Sequence, residues 1–234
     1  MDHDVAIRAT GIHAAYTRAP VLRGIDLTLE WGAVTALTGA NGAGKSTLLE
    51  ILAGARDPGS GTVIRAAPVA LVVQRPLSPA QLPLTVADTV RIGASRPARH
   101  GRARRSRAEI TAAVTSALES VDLVDLAHRP FGELSGGQRQ RALIAQGLAT
   151  GDRILFLDEP AAGLDVASRE RTRGILATAA ERGIAVCCVT HDAADWASAD
   201  RWLRLEGGRI AEDWATSRST PRSTPHAARR ERAA

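Results

Sequence analysis

Apolar and polar positions alternate through residues 5–38, first in VAIRATGIHAAY and then in VLRGIDLTLEWGAVTALT, with glycines at the breaks. A period of two puts successive side chains on opposite faces, so this stretch predicts β structure. Its last piece, VTALTG, is a short apolar run that ends at a glycine-rich loop. KSTLLEILAG then has helical spacing and a closing glycine at Gly54. PVALVVQ predicts a further buried strand. From residue 77 to 133 proline, arginine and alanine rise, and RAEITAAVTSALESVDLVDL is spaced as a helix. This reads as an inserted helical subdomain that continues through QRQRALIAQGLA to about residue 150. RILFLDEP is a buried strand, VASRERTRGILATAAERG a helix and IAVCCVTHD another strand. Strands alternating with helices predict an α/β fold with a mainly parallel sheet covered on both faces.

Composition narrows the classes. The 234 residues suffice for one domain with a subdomain and a sizeable core, and 3% aromatic content means a core of aliphatic side chains. No run of 18 apolar residues is present, so no membrane span is expected. MDHDVAIRAT lacks the features of a secretory signal, and a cytoplasmic location is expected. Adjacent Cys187 and Cys188, in an apolar strand, read as buried thiols on opposite faces.

The formal charge of +5 is unevenly placed. The last 19 residues carry five arginines (Arg218, Arg222, Arg229, Arg230, Arg232) against Glu231, a net +4, so the body is near neutral. Residues 1–214 are therefore read as the folded domain and 215–234 as a disordered basic tail. A second basic run spans Arg96 to Arg107. Both runs read as solvated surface, with anionic lipid headgroups the sharper alternative and nucleic acid the weaker one.

Chemistry concentrates in two places. GANGAGKS matches G-x-x-x-x-G-K-[ST], follows a predicted strand and opens a predicted helix, which is the setting of a phosphate-binding loop. Gly39, Asn41, Gly42, Ala43 and Gly44 would turn backbone N–H groups around phosphate oxygens, with the helix N-terminus adding positive potential. Lys45 would reach the β- and γ-phosphates, and Ser46 and Thr47 open the helix, Ser46 offering its hydroxyl to Mg²⁺. Lys45 is the only lysine among 30 basic residues. A compact ammonium on a flexible stem suits a narrow loop crowded with donors, whereas a planar guanidinium does not. ILFLDEP puts Asp158 and Glu159 at the carboxyl end of a buried strand. Asp158 is suited to holding Mg²⁺ through water, and Glu159 to serving as base toward the attacking water.

With LSGGQRQR (Leu134 to Arg141) added to GANGAGKS and ILFLDEP, the chain resembles the ATP-binding subunit of ABC transporters over roughly residues 5–210. The resemblance implies a P-loop NTPase core, an N-terminal antiparallel β subdomain and a helical subdomain carrying the signature. It implies that Tyr16 stacks on adenine and that Gln74 contacts Mg²⁺ and the water. Asp165, in GLD, corresponds to the D-loop, and His191, in VTHD, to the histidine that contacts the γ-phosphate. Ser135, Gly136 and Gly137, with a helix start at Gln138, form a second anion-binding arrangement. In the family this arrangement binds the γ-phosphate held by the other protomer of a head-to-tail dimer. ATP and Mg²⁺ are the implied cofactors. The implied partners are a second copy, integral membrane permease subunits at the inner face of the membrane and, for an importer, an extracytoplasmic substrate-binding protein.

The chain departs from the family at Ala161, at Gln146–Gly147 and at Gly32–Ala33, none of which removes a group that contacts nucleotide in the family. A soluble ATPase acting on DNA or ribosomes is disfavoured. Such relatives carry long insertions or tandem halves, whereas Gln74 to Leu134 is 60 positions and each motif occurs once. Among transporters, LPLTVADTVRIG and RPFGELSGGQRQRALIAQGLA look most like zinc or manganese uptake, with iron-siderophore or haem uptake next, then drug or lipid export.

Overall fold

A computed structural model describes residues 4–16, 19–72, 84–96, 105–191 and 198–215. Gln74, most of the arginine run and residues 216–234 of the basic tail lie outside the described residues, whereas Ala215, assigned to the tail from sequence, ends a strand. Three strands, β1 (Val5–Tyr16), β2 (Ala19–Glu30) and β4 (Ser60–Arg65), form an antiparallel sheet in the order β2-β1-β4. The second sheet has six strands in the order β5-β6-β7-β3-β8-β9. These are β3 (Val34–Gly39), β5 (Val69–Val72), β6 (Ile154–Asp158), β7 (Ala185–Val189), β8 (Arg201–Glu206) and β9 (Arg209–Ala215). All neighbours pair in parallel except β8 and β9.

Pleating divides the core in two. On β6, Ile154 and Phe156 join α1 (Lys45–Ala53) and the antiparallel sheet in one cluster. Leu155 and Leu157 face the other way, toward α4 (Gly136–Ala149) and α5 (Val166–Glu181). On β7, Cys187 belongs to the first cluster and Cys188 to the second, both buried and both free thiols. Burial pushes the Cys187 thiol far above its ordinary range, which keeps it protonated and unreactive. The helices that begin at the phosphate loop and at the signature thus cover opposite faces of the six-stranded sheet.

Three α-helices lie between β5 and β6 among the described residues, α2 (Val86–Ala94), α3 (Arg107–Ser120) and α4, each opened by a capping box: Thr85 with Asp88, Ser106 with Glu109, Ser135 with Gln138. Reciprocal side-chain and backbone bonds satisfy N–H groups that a helix start otherwise leaves unpaired. Arg105 fastens the far ends. Its guanidinium donates to Ala149 O at 2.7 Å, Thr150 O at 2.9 Å and Ala94 O at 3.4 Å, joining the C-termini of α2 and α4. Buried Arg141 donates to Val121 O (2.7 Å) and Asp122 O (2.9 Å), tying α4 to the turn after α3.

The α/β class, the parallel sheet and the antiparallel N-terminal sheet are as the sequence predicts. The pattern reading passed over β4, α2 and the β8–β9 hairpin. That hairpin turns on Gly207 and Gly208, with φ of 54° and 77°. Two positive φ angles in a two-residue turn are what a Gly-Gly pair supplies, so the hairpin was legible in RWLRLEGGRIAEDWA.

Candidate active site

β3 ends at Gly39, and the chain turns through Asn41, Gly42 and Ala43 before α1 begins at Lys45. Gly44 caps that helix at φ 103°, and a Cβ there would lie 2.9 Å from Leu22 Cδ2. Only glycine combines this backbone geometry with the fit. The first turn of α1 contains no acidic residue of its own, so no side chain of the helix opposes the positive potential at its start. Lys45 is buried, and its Nζ donates to Gly39 O at 2.8 Å and Ala40 O at 3.0 Å. An ammonium has three donors. Two hold the loop closed on itself, and one is left for a ligand.

Parallel pairing brings the acidic strand end to this loop. The β3–β7 and β6–β7 ladders align Leu37 and Asp158 with the same residue, Val189. Ser46 Oγ donates to Asp158 Oδ2 at 3.2 Å. Burial raises the Asp158 pKa above the usual carboxylate range. The Ser46 hydrogen bond opposes that shift, the neighbouring Glu159 charge adds to it and Lys45 opposes it. A hydroxyl and a carboxylate at this separation are hard oxygen donors of the kind Mg²⁺ takes alongside water. The pair therefore fits that ion.

Glu159 has φ 50°, uncommon for a residue with a side chain. Its N–H is fixed to Val189 O at 3.0 Å, and its carboxylate Oε1 lies 3.6 Å from Nδ1 of exposed His191. Sparsely populated backbone of this kind clusters at functional sites. Half-exposed Tyr16, at the end of β1, places its hydroxyl 3.5 Å from Thr47 Oγ1, a long contact. The Arg56 guanidinium lies over its ring, 4.0 Å from the centroid.

The remaining predicted residues gather elsewhere. Ser135 caps α4, its Oγ accepting from Gln138 N (3.2 Å) while Gln138 Oε1 accepts from Ser135 N (2.9 Å). Gly136 and Gly137 form the first turn of that helix. Asp165 caps α5, accepting from Ser168 N at 2.8 Å and Ser168 Oγ at 2.9 Å, bonds that hold its carboxyl below the usual range. The structure therefore brings Lys45, Ser46, Asp158, Glu159 and His191 together at one sheet end. It groups Ser135, Gly136, Gly137 and Asp165 at the adjoining N-termini of α4 and α5.

Residues 22–162, more than half of the chain, match the family model described as ABC transporter. The chain belongs to the ABC transporter ATP-binding family. It is an ATP-hydrolysing subunit of that family, and no helix among its described residues is long and apolar enough to cross a membrane.

Named relatives agree with the family assignment. The ABC ATPase is 36% identical over 219 residues to the Hemin import ATP-binding protein HmuV of Rhodococcus jostii, covering 88% of this chain and 74% of that protein. It is 38% identical over 220 residues to HmuV of Streptomyces coelicolor, covering 89% and 77%. It is 32% identical over 231 residues to the Aliphatic sulfonates import ATP-binding protein SsuB of Burkholderia thailandensis, covering 96% and 65%. Among solved structures, a metal-chelate type ABC transporter in an inward-facing conformation superposes with TM-score 0.82 at 28% identity, covering 92% of this chain and 84% of that one. A nucleotide-free ATP-binding cassette superposes with TM-score 0.80 at 22% identity, a likeness of fold.

Two residues beside the site carry no family motif: Arg56, against Tyr16, and Ser168, against the signature. Arg56 lies 40 positions after Tyr16 and has no local sequence signal, and Ser168 has only its place three residues after Asp165.

Proposed function

We propose that two copies of this subunit close head to tail on ATP and drive an importer through separate permease subunits. The observation that carries this reading is the placement of its two anion-binding helix starts. α1 opens at the Lys45 loop and α4 at Ser135, on opposite faces of the six-stranded sheet. One triphosphate cannot sit between them within a chain, but two chains related by a two-fold axis offer each loop the partner's signature. In that arrangement Gly39, Asn41, Gly42, Ala43, Gly44, Lys45 and Thr47 hold phosphate and Tyr16 stacks on adenine. Ser135, Gly136, Gly137 and Gln138 approach the partner's γ-phosphate, with Asp165 beside them. Ser46 and Asp158, with Gln74 as the resemblance implies, would hold Mg²⁺, which supplies charge neutralisation at the phosphates. Glu159 takes the proton of the attacking water and His191 contacts the γ-phosphate.

For the cargo we favour haem or a similar metal chelate, supported by the two HmuV relatives and by the metal-chelate transporter. Zinc or manganese uptake rests on the motif resemblance alone, and the importers of sulfonates and iron among the relatives keep the cargo class open to test. The decisive experiment reconstitutes the subunit with its permease and an extracytoplasmic binding protein in proteoliposomes. Turnover should rise when the binding protein carries haem and not when zinc or manganese is supplied. Stimulation by either ion alone would overturn the cargo. ATP turnover in a strictly monomeric chain would overturn the head-to-tail site.

A further inference from the structure

The first turn of α4 rests on the start of α5, most tightly at Gly137. A Cβ placed on Gly137 would lie 2.4 Å from Ser168 Oγ and 2.8 Å from Ser168 Cβ, so the serine hydroxymethyl occupies the space a side chain at 137 would need. Next to it, Leu164 Cδ2 lies 3.7 Å from the corresponding point on Gly136, in ordinary contact. Ser168 is itself held. Its N–H and hydroxyl both donate to the Asp165 carboxylate, at 2.8 and 2.9 Å. Its carbonyl accepts from the hydroxyl of buried Thr172 at 3.0 Å.

The chain from Glu159 to this point is a series of tight turns. Ala162 N donates to Glu159 O (3.2 Å) and Leu164 N to Ala161 O (3.3 Å), and Asp165 then caps α5. The seat of the signature glycine is therefore built by residues five to nine positions after Glu159, and not by α4 alone.

We propose that Ser168 is a positioning residue: held by Asp165, it sets where Gly137 stands and thereby aims the signature N–H groups at the partner's nucleotide. The proposal rests on the head-to-tail reading above. Glycine at 137 follows from it for a reason separate from ligand contact, because the Cβ direction points into Ser168.

The test is a size series in the full-length chain, reading kcat and KM for ATP, ATP-dependent dimerisation and melting temperature. Gly137→Ala should lower kcat about tenfold or more, since an ångström of misplacement at a reacting centre can cost ~100-fold. Nucleotide binding through Lys45 should be retained. Adding Ser168→Gly should restore most of the lost kcat, and adding Ser168→Ala should restore less, because its Cβ still meets the new methyl. Helix propensity orders those two substitutions the other way, alanine being the better helix former. Recovery in the order Gly above Ala thus separates positioning from stability. Ser168→Val in the wild-type background should reproduce the Gly137→Ala defect. Equal impairment of the single and double variants, or full kcat in Ser168→Val, overturns the proposal. A wild-type chain that never dimerises with ATP would instead overturn the head-to-tail reading itself.

Discussion

Ser46 Oγ and Asp158 Oδ2 face one another across 3.2 Å, joining the first turn of α1 to the end of β6. The hydroxyl is the carboxylate's main relief from burial, and the neighbouring Glu159 adds repulsion. The folded chain therefore holds a proton on Asp158 more tightly than the unfolded chain does. Its contribution to stability is complete below the unfolded carboxylate pKa and is lost as pH rises through the raised folded value. At neutral pH the ionised group costs stability. Asp158→Asn, which can still accept from Ser46, should melt higher than wild type at pH 7 without nucleotide. The gain should shrink toward about pH 4, near the ordinary Asp value. It should also abolish metal-dependent turnover. A variant that melts at or below wild type at pH 7 would refute this account of the site.

Glu159→Gln keeps the size of the side chain and the backbone turn at φ 50° but cannot accept a proton. ATP should bind as before while hydrolysis slows by about 100-fold or more, the scale of general acid–base effects. The ATP-bound dimer should then accumulate, as seen by light scattering. Near-normal phosphate release would remove Glu159 from the role of base.

Lys45→Arg preserves the charge and alters only shape. A point-like ammonium makes two short bonds, to Gly39 O and Ala40 O, inside the loop. A planar guanidinium cannot make both and still reach phosphate. Losing a charge-assisted bond costs roughly 1.5–3 kcal/mol, about one to two decades in ATP affinity. Calorimetry would decide it: retention of more than about half the wild-type affinity means that charge alone suffices at this position.

Tyr16 separates stacking from hydrogen bonding. Its hydroxyl contact to Thr47 is long, 3.5 Å, so Tyr16→Phe should bind ATP almost as well as wild type. Tyr16→Ala should weaken binding by roughly 1–3 kcal/mol, the measured range for a base on an aromatic ring. Arg56→Ala, which removes the cation 4.0 Å from the ring centroid but keeps the ring, should bind ATP more tightly than Tyr16→Ala. An inverted order of Phe and Ala in fluorescent-nucleotide titrations would rule out a stacking role.

The legible parts of this chain were those whose signal is local. β3, α1, β6, α5 and β7 announce themselves by short apolar runs and by periodicity, and Lys45, Ser46, Asp158 and Glu159 stand in motifs whose spacing is fixed by the turn they make. β4 was harder, because SGTVIR is exposed along most of its length and pairs on one side only with β1. α2 is nine residues long and follows a proline-rich stretch, too short for periodicity to be secure. Long-range contacts left no local trace at all. Nothing in the sequence shows that Arg105 gathers carbonyls from the ends of α2 and α4, or that Ser168 fills the space beside Gly137.

The groups expected to grip nucleotide also grip the protein itself. Lys45 holds two loop carbonyls, Ser135 and Gln138 hold each other, and Asp165 holds Ser168. Ser135, Gln138 and Asp165 can then meet a ligand only by exchanging partners, whereas Lys45 keeps its third donor for phosphate. Exchanged hydrogen bonds differ little in net free energy, on the order of 0.5–1.5 kcal/mol each. Departure after hydrolysis strands no buried charge. A machine that must let go once per cycle is served by such groups, whose internal partners stand ready whenever a phosphate leaves.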